Sequence, residues 1–319
     1  MKISYVITVY NKAPYILDVI KCLAAENSIQ PEAVEYIFVD DGSSDESVDL
    51  INEHGHLLPS GFTVIEQENQ GAAVATNVGT SAAQYEWIRL LDGDDIPCRE
   101  STRVMYEIAT ENKVDFVIGS FGYFSQSEDA TNQMGETNRN NYVVMNRKQS
   151  QERFIKSFPH NSSCMLIKKS LLEKFGGADT RLRSPDYTIA LRATAMTEKI
   201  SLITENVAMM VQEAPGRLSS QIARSRYDSI CAIYYFAHEL LPNERDVAIA
   251  VYKRSCSRAY RYARKLGNSP FKHFIRYIYS KLFIPSDLKK ATYNCLSAFT
   301  PNGLPERPPE WTPRIQNNQ

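Results

Sequence analysis

The chain has 319 residues, 43% of them hydrophobic and 23% charged, enough to bury a full catalytic core and carry a further module. Its formal net charge of −1 excludes a nucleic-acid coat and an acidic-tail protein. Six scattered cysteines (Cys22, Cys98, Cys164, Cys231, Cys256 and Cys295) form no Cys-x-x-Cys pair and have no histidine at zinc spacing, which points to a reducing compartment.

In chain order, the first segment, Ile3 to Val9, has strand character with neither a basic leader nor a small-residue cleavage site before it, so a cytoplasmic location is expected. No run of about 18 apolar residues occurs anywhere, and no membrane span is expected. Further strands are expected at Val34–Asp40, Phe62–Glu66 and Glu86–Leu91, with helices at Tyr15–Glu26, Asp45–Glu53 and Ala72–Ala82 between them. Alternation of this kind predicts an α/β fold with a mainly parallel sheet flanked by helices. Ser43 and Glu46 have capping-box spacing, which sets Asp40 and Asp41 in a turn at a strand's carboxyl end, where open α/β sheets bind ligands.

Residues 114–124 suggest one more strand or a pair, 125–141 an exposed loop, and Ser163–Lys168 a strand. Gly176-Gly177 ends a short helix, Ser170–Phe175, and Ser184-Pro185 has the chemistry to open another near Asp186. From about Ser219 the texture turns helical, basic and aromatic, with Arg254, Arg258, Arg261, Arg264 and Lys265 beside Tyr252, Tyr260 and Tyr262. Those helices admit two readings: packing against the core or a second subunit, or docking on an anionic membrane surface, the peripheral cytoplasmic face of an inner membrane. Nucleic acid is not expected as a partner, because the chain is not basic overall. The stretch 301–319, with Pro301, Pro305, Pro308, Pro309 and Pro313, reads as an extended tail.

The strongest chemical signal is Leu90-Leu91-Asp92-Gly93-Asp94-Asp95, an apolar strand ending in three carboxylates. Like charges packed together favour a hard divalent cation bound through oxygens, Mn²⁺ or Mg²⁺ bridging a diphosphate. A second acidic turn, Asp40-Asp41-Gly42-Ser43-Ser44-Asp45, also follows a strand and is expected to face the same crevice.

Together with Ser4 to Lys12, Asn69-Gln70-Gly71 and Thr76-Asn77, these two turns follow in an order that resembles the inverting family 2 glycosyltransferases of bacterial polysaccharide and lipopolysaccharide synthesis. The resemblance is close over roughly the first hundred residues and looser to about residue 215. It implies the GT-A nucleotide-diphospho-sugar transferase fold over 1–218, with a nucleotide-sugar half at about 1–100 and an acceptor half at about 101–218. A C-terminal helical region, 219–300, and the proline-rich tail, 301–319, would follow.

The resemblance also implies transfer from a nucleoside diphosphate sugar, UDP by preference, to a hydroxyl of a saccharide or lipid-linked saccharide. Thr8, Tyr10, Asn11, Asn77 and Gly93 would bind the nucleotide sugar, Asp41 the pyrimidine, Asn69 and Gly71 would border the base, and Asp92 would lie near the ribose or sugar. Asp94 would ligate the metal. The family's base is a carboxylate opening a helix after a glycine-containing loop, which matches Asp186, with Asp179 as the second choice. His160, Asp179 and Arg217 are further donor or acceptor contacts. Two departures stand out: Thr76 where many members have arginine, and Pro185 where many have a first acid. They leave open a nucleotide-sugar-binding scaffold without activity. A sugar nucleotidyltransferase would need a glycine-rich, arginine-containing loop where Tyr10-Asn11-Lys12-Ala13 stands, and a dinucleotide oxidoreductase a Gly-x-Gly-x-x-Gly after a strand, which is absent.

Overall fold

Strand β1, Ile3–Val9, is buried along almost its whole length, as the central strand of a sheet covered on both faces must be. In the computed structural model, which describes residues 1–26, 28, 30–126, 128–212, 222–266 and 269–299, it lies between two parallel neighbours. Helix α1 (Ala13–Ala25) carries a proline in its first turn and leads to β2 (Val34–Asp40). Helix α2 (Ser47–His54), β3 (Phe62–Glu66), α3 (Ala72–Ala82) and β4 (Trp87–Asp92) complete a parallel unit in the order β3-β2-β1-β4. The edge strand β3 is only partly buried, so its polar residues are tolerated where β1 tolerates few.

After β4 the chain reverses. β5 (Asp95–Pro97), α4 (Ser101–Asn112), β6 (Phe116–Phe124), β7 (Tyr142–Asn146), α5 (Arg147–Lys156), β8 (Met165–Lys168), α6 (Lys169–Phe175), α7 (Pro185–Met196) and β9 (Lys199–Val211) follow. The sheet continues as β4-β8-β6-β9-β5, with β7 also paired to β9. β8 runs antiparallel to β4, and β5 antiparallel to β9, so the acidic turn is the hinge between two directions of one sheet. Beyond it lie α8 (Ile222–Tyr235), a π turn at Phe236–Leu240, α9 (Arg245–Leu266), α10 (Pro270–Leu282) and α11 (Leu288–Tyr293). The expected boundary near 218, Arg217 and the proline-rich tail lie outside the described residues.

One expectation needs correction. The capping box at Ser43 and Glu46 does not form: α2 starts at Ser47, Ser43 instead donates to Asp40, and the Asp45 carboxylate accepts from the Ser47 amide at 3.1 Å. The box that does form joins Asn146 and Gln149 at the start of α5. Of the two readings of 114–124, a single strand is the one found, Phe116–Phe124, with a register shift at Ser120. Its partner β9 was not anticipated, because the polar run Thr204-Glu205-Asn206 interrupts its apolar pattern where that shift falls.

One charged side chain is built into this core. Arg89 of β4 is fully buried, and its guanidinium donates to the carbonyls of Ser163, Met165 (3.2 Å) and Val207 (2.9 Å). It thus ties β4 to β8, β9 and the 3₁₀ turn Ser162–Cys164. Its charge also eases Glu26, whose carboxyl burial pushes up and to which the Tyr5 hydroxyl donates. Arg89→Leu leaves three carbonyls without their donor and Glu26 without a nearby positive charge, and urea denaturation should show a loss of about 3 kcal/mol or more.

Candidate active site

The carboxyl ends of β1, β2, β3 and β4 meet at one edge, with Val9 in register with Asp40 and Thr8 with Asp92. The loops there are stitched by side chains rather than by apolar packing. Asn11, at φ 51°, accepts from the Ser44 amide (2.8 Å), and its own amide donates to Ser43 Oγ (2.9 Å). Tyr10 beside it is exposed. The Asp40 carboxylate accepts from the Gly42 and Ser43 amides and closes the turn.

Asp41 organises the loop after β3. Its Oδ1 accepts from Gln67 Nε2 (2.7 Å) and the Gln70 amide (2.8 Å), and its Oδ2 from the Gly71 amide (2.8 Å). Gly71 stands at φ 95°, a conformation that favours glycine, and Asn69 is exposed on the same loop. A carboxylate has about four acceptor positions, so Asp41 retains one on Oδ2.

The acidic turn carries the densest charge. Asp92 Oδ1 accepts from Ser162 Oγ (2.8 Å) and, more distantly, from Thr8 Oγ1 (3.4 Å). Burial raises the Asp92 carboxyl above its usual range, and the neighbouring charge of Asp94 raises it further. The Gly93 amide donates to the Thr8 carbonyl (2.9 Å). Asp94 pairs with Lys12 Nζ at 2.7 Å, and Asp95 accepts from Asn161 and Ser163 at 2.7 Å each. Among the described residues no three His, Cys, Asp or Glu side chains converge as a metal cage. Two adjacent carboxylates, one destabilised as an anion by the other, still fit Mg²⁺ or Mn²⁺, which take one or two protein carboxylates when substrate phosphates complete the shell.

Asp186 opens α7 one residue after Pro185, which occupies the first helical position as its fixed φ allows. Its Oδ1 accepts from the Tyr187 amide at 2.8 Å, and burial, reinforced by the charge of Asp92, raises its carboxyl to about 7. Asp179 is held very differently. It accepts from Arg181 at 2.7 and 2.9 Å and from Arg192 at 2.9 Å, and despite the cost of burial the two guanidiniums hold its carboxyl below the usual range.

Asn77 is engaged within the protein. Its amide group clamps the backbone of Ala178, donating to the carbonyl (3.0 Å) and accepting from the amide (2.8 Å). A Cβ on Gly177, at φ 71°, would stand 2.2 Å from Asn77 Oδ1, so the clamp requires glycine there. Thr76 is buried and donates to the Ala72 carbonyl of its own helix (2.8 Å), so its hydroxyl is used within that helix. His160 is buried, with Nδ1 donating to the Gly119 carbonyl (2.7 Å), its ring 5.2 Å from Phe158, and its pKa lowered by burial. Phe158 in turn stacks on Tyr187 at 4.9 Å, next to Asp186. The residues sequence reasoning passed over are Lys12, Ser162 and Ser163. Two signals were available, a lysine directly after a strand end and hydroxyls preceding an antiparallel neighbour of the acidic strand.

Asp41→Ala removes three hydrogen bonds to a charged acceptor. Native-state hydrogen exchange at the Gln70 and Gly71 amides should accelerate about a hundredfold, the equivalent of about 3 kcal/mol of local opening.

The family described as Glycosyl transferase family 2 matches residues 4–176. The chain is 28% identical over 234 residues to "Glycosyltransferase GlyG" of Streptococcus pneumoniae, covering 71% of this chain and 74% of that protein. Of several other curated relatives it spans less than half the length. Residues 1–349 of Staphylococcus aureus TarS, solved with UDP-GlcNAc, superpose with a TM-score of 0.66 at 16% identity, covering 94% of this chain and 89% of that one. The mannosyltransferase PcManGT of Pyrobaculum calidifontis, solved with GDP-Man and Mn²⁺, gives 0.56 at 17% identity, covering 94% and 86%. At those identities the structures establish the fold.

Proposed function

The chain belongs to glycosyltransferase family 2, and we propose that it moves a sugar, with inversion, from a UDP-sugar to a hydroxyl of a saccharide or lipid-linked saccharide in surface polysaccharide, teichoic acid or glycolipid synthesis. The observation that carries the mechanism is Asp186 in the first turn of α7, its Oδ1 held by the Tyr187 amide, where burial and the charge of Asp92 raise its carboxyl to about 7. A base for an attacking hydroxyl works best when its pKa lies near the working pH. TarS was solved with UDP-GlcNAc and UDP, which supports a uridine donor. The curated relatives include a poly(ribitol-phosphate) β-glucosyltransferase, which supports a cell-surface polymer as acceptor.

In this reading Asp41 receives an N–H of the base on the free position of Oδ2, and Thr8, Tyr10, Asn11, Asn69, Gly71 and Gly93 border the nucleotide. Asp92 and Asp94 would hold the divalent ion, which supplies positive charge opposite the diphosphate when bound. Lys12 adds a second positive charge from the protein. The acceptor oxygen attacks the anomeric carbon as the bond from that carbon to the diphosphate oxygen breaks. Its proton passes to Asp186 Oδ2, since Oδ1 is held by the Tyr187 amide. Asp179, clamped as an anion by two arginines, acts by fixing the loop before α7 rather than by taking protons. Pro185 has a structural reason to stand at the start of α7, and the adjacent carboxyl keeps a raised pKa, so Pro185 gives the scaffold alternative no support.

Asp186→Asn should lower turnover of a UDP-sugar about 10²- to 10⁴-fold while leaving UDP affinity within about twofold. Near-native turnover would remove Asp186 as the base. In the parent protein kcat/KM should rise with pH and level off above about 7, losing about tenfold per unit below that point. The folded carboxyl holds its proton more tightly than the unfolded one, so ionising it costs stability as pH rises from about 4 to about 7. Asp186→Asn, relative to the parent, should therefore be more stable at about pH 8 than at about pH 5, by roughly 1 kcal/mol after discounting for partial contact with water. Chelation of divalent ions should abolish turnover, and Mn²⁺ should restore it.

A further inference from the structure

Helix α10, Pro270–Leu282, is amphipathic in the inverse sense to a core helix. The side it turns inward carries His273 and Ser280, both buried, with Tyr277 stacked on Tyr260 of α9 at 5.6 Å and Arg276 donating to the Asn294 carbonyl at 2.7 Å. Its apolar residues face water: Phe271 is 74% exposed, Ile275 52%, Ile278 42% and Leu282 70%. At about 100° per residue these four fall within roughly 60° of arc, and Phe274 and Tyr279 extend the stripe on either side. Phe283 and Ile284 prolong it beyond the helix end. More than half of the large exposed apolar side chains among the described residues lie in this one segment. No helix of the described chain is long and apolar enough to cross a membrane, so the stripe is a surface feature.

The charge around it selects what covers it. Lys272 and Lys281 are exposed at the two flanks of the stripe. Between residues 261 and 290 eight lysines and arginines stand against one acidic residue, Asp287, in a chain whose net charge is −1. Pairing two copies of this face would set basic flanks against basic flanks with almost no carboxylate to answer them. Anionic lipid headgroups answer them directly, while the aliphatic and aromatic side chains enter the acyl boundary. We propose that α10 and the segment to Ile284 form an interfacial anchor that lays the protein on an anionic lipid surface, apolar stripe down and Lys272 and Lys281 at headgroup level. This does not rest on the catalytic reading, and lipid binding is measured without turnover.

The test is flotation of the full chain with vesicles of phosphatidylglycerol and phosphatidylcholine in equal parts, against vesicles of phosphatidylcholine alone. The parent should float with the anionic vesicles and remain largely in solution with the neutral ones. Ile275→Glu with Ile278→Glu, both at exposed positions, should lower binding at least tenfold, the loss of one or more inserted aliphatic side chains. Lys272→Glu with Lys281→Glu should lower it about tenfold or more. Unchanged circular dichroism and melting temperature in both variants would keep the comparison clean. No binding by the parent, equal binding to the two vesicle types, or variants that bind like the parent would each overturn the anchor. A parent that ignores vesicles but forms a dimer dissociated by the isoleucine variant would also overturn it, assigning the stripe to a second copy.

Discussion

The structure depends on keeping Asp92 and Asp94 together, both ionisable, at the end of a buried strand. Left alone, that arrangement is unfavourable, since burial and mutual repulsion both work against two anions. The chain meets the cost locally with hydrogen bonds rather than with a complete set of countercharges. Lys12 neutralises Asp94, and Ser162 donates to Asp92. Asn161 and Ser163 occupy Asp95. The turn that supplies these donors is itself held from below by Arg89, which spends its guanidinium on carbonyls of that turn and of β8 and β9. One buried cation therefore supports the donors that make the acidic cluster tolerable, and the remaining repulsion is what a divalent ion and its phosphates can relieve.

A second set of contacts places α7 relative to that cluster. The loop before it is gripped from three directions: Asn77 on Ala178, Arg192 on the Gly177 carbonyl at 3.0 Å, and Thr188 accepting from the Asp179 amide at 3.1 Å. Arg181 carries the connection outward to Glu239 in the π turn at 2.8 Å, while its guanidinium lies 3.7 Å from the centre of the Tyr235 ring. The C-terminal helices are thus tied to the element that bears Asp186. Restraint of this kind matters because a proton acceptor displaced by even 1 Å loses much of its effect.

The first half of the fold was legible because it obeys one rule throughout. β1, β2 and β3 coincide with their apolar runs, and β4 is shifted by one residue, since parallel strands buried on both faces leave little ambiguity. The acidic turns were legible for the opposite reason, as charge where burial forbids it. What was hidden depended on partners distant in sequence. Nothing in the sequence signals that Asn77 clamps Ala178, or that Phe158 and Gly119 enclose His160. Cys256 and Cys295 looked merely scattered, yet their sulfurs lie 3.6 Å apart.

The basic and aromatic texture of the C-terminal half illustrates the same limit and resolves into two different physical jobs. On α9, Arg254 and Arg258 are partly buried, and burial lowers both, Arg254 to about 10, with Arg258 hydrogen-bonded to Tyr187. These arginines work inward, against the helix that carries Asp186. On α10, His273, Ser280 and the ring of Tyr277 pack inward, while the aliphatic side chains are left outside. Composition alone cannot separate these cases, because both are rich in the same residues. The separation comes from phase: at Arg254 and Arg258 the charges share a face with the core contacts, whereas Phe271, Ile275, Ile278 and Leu282 share the face turned away from it. The exposed aliphatic stripe of α10 adds nothing to the core, so it is explained by a surface that the folded chain meets rather than by the fold it belongs to.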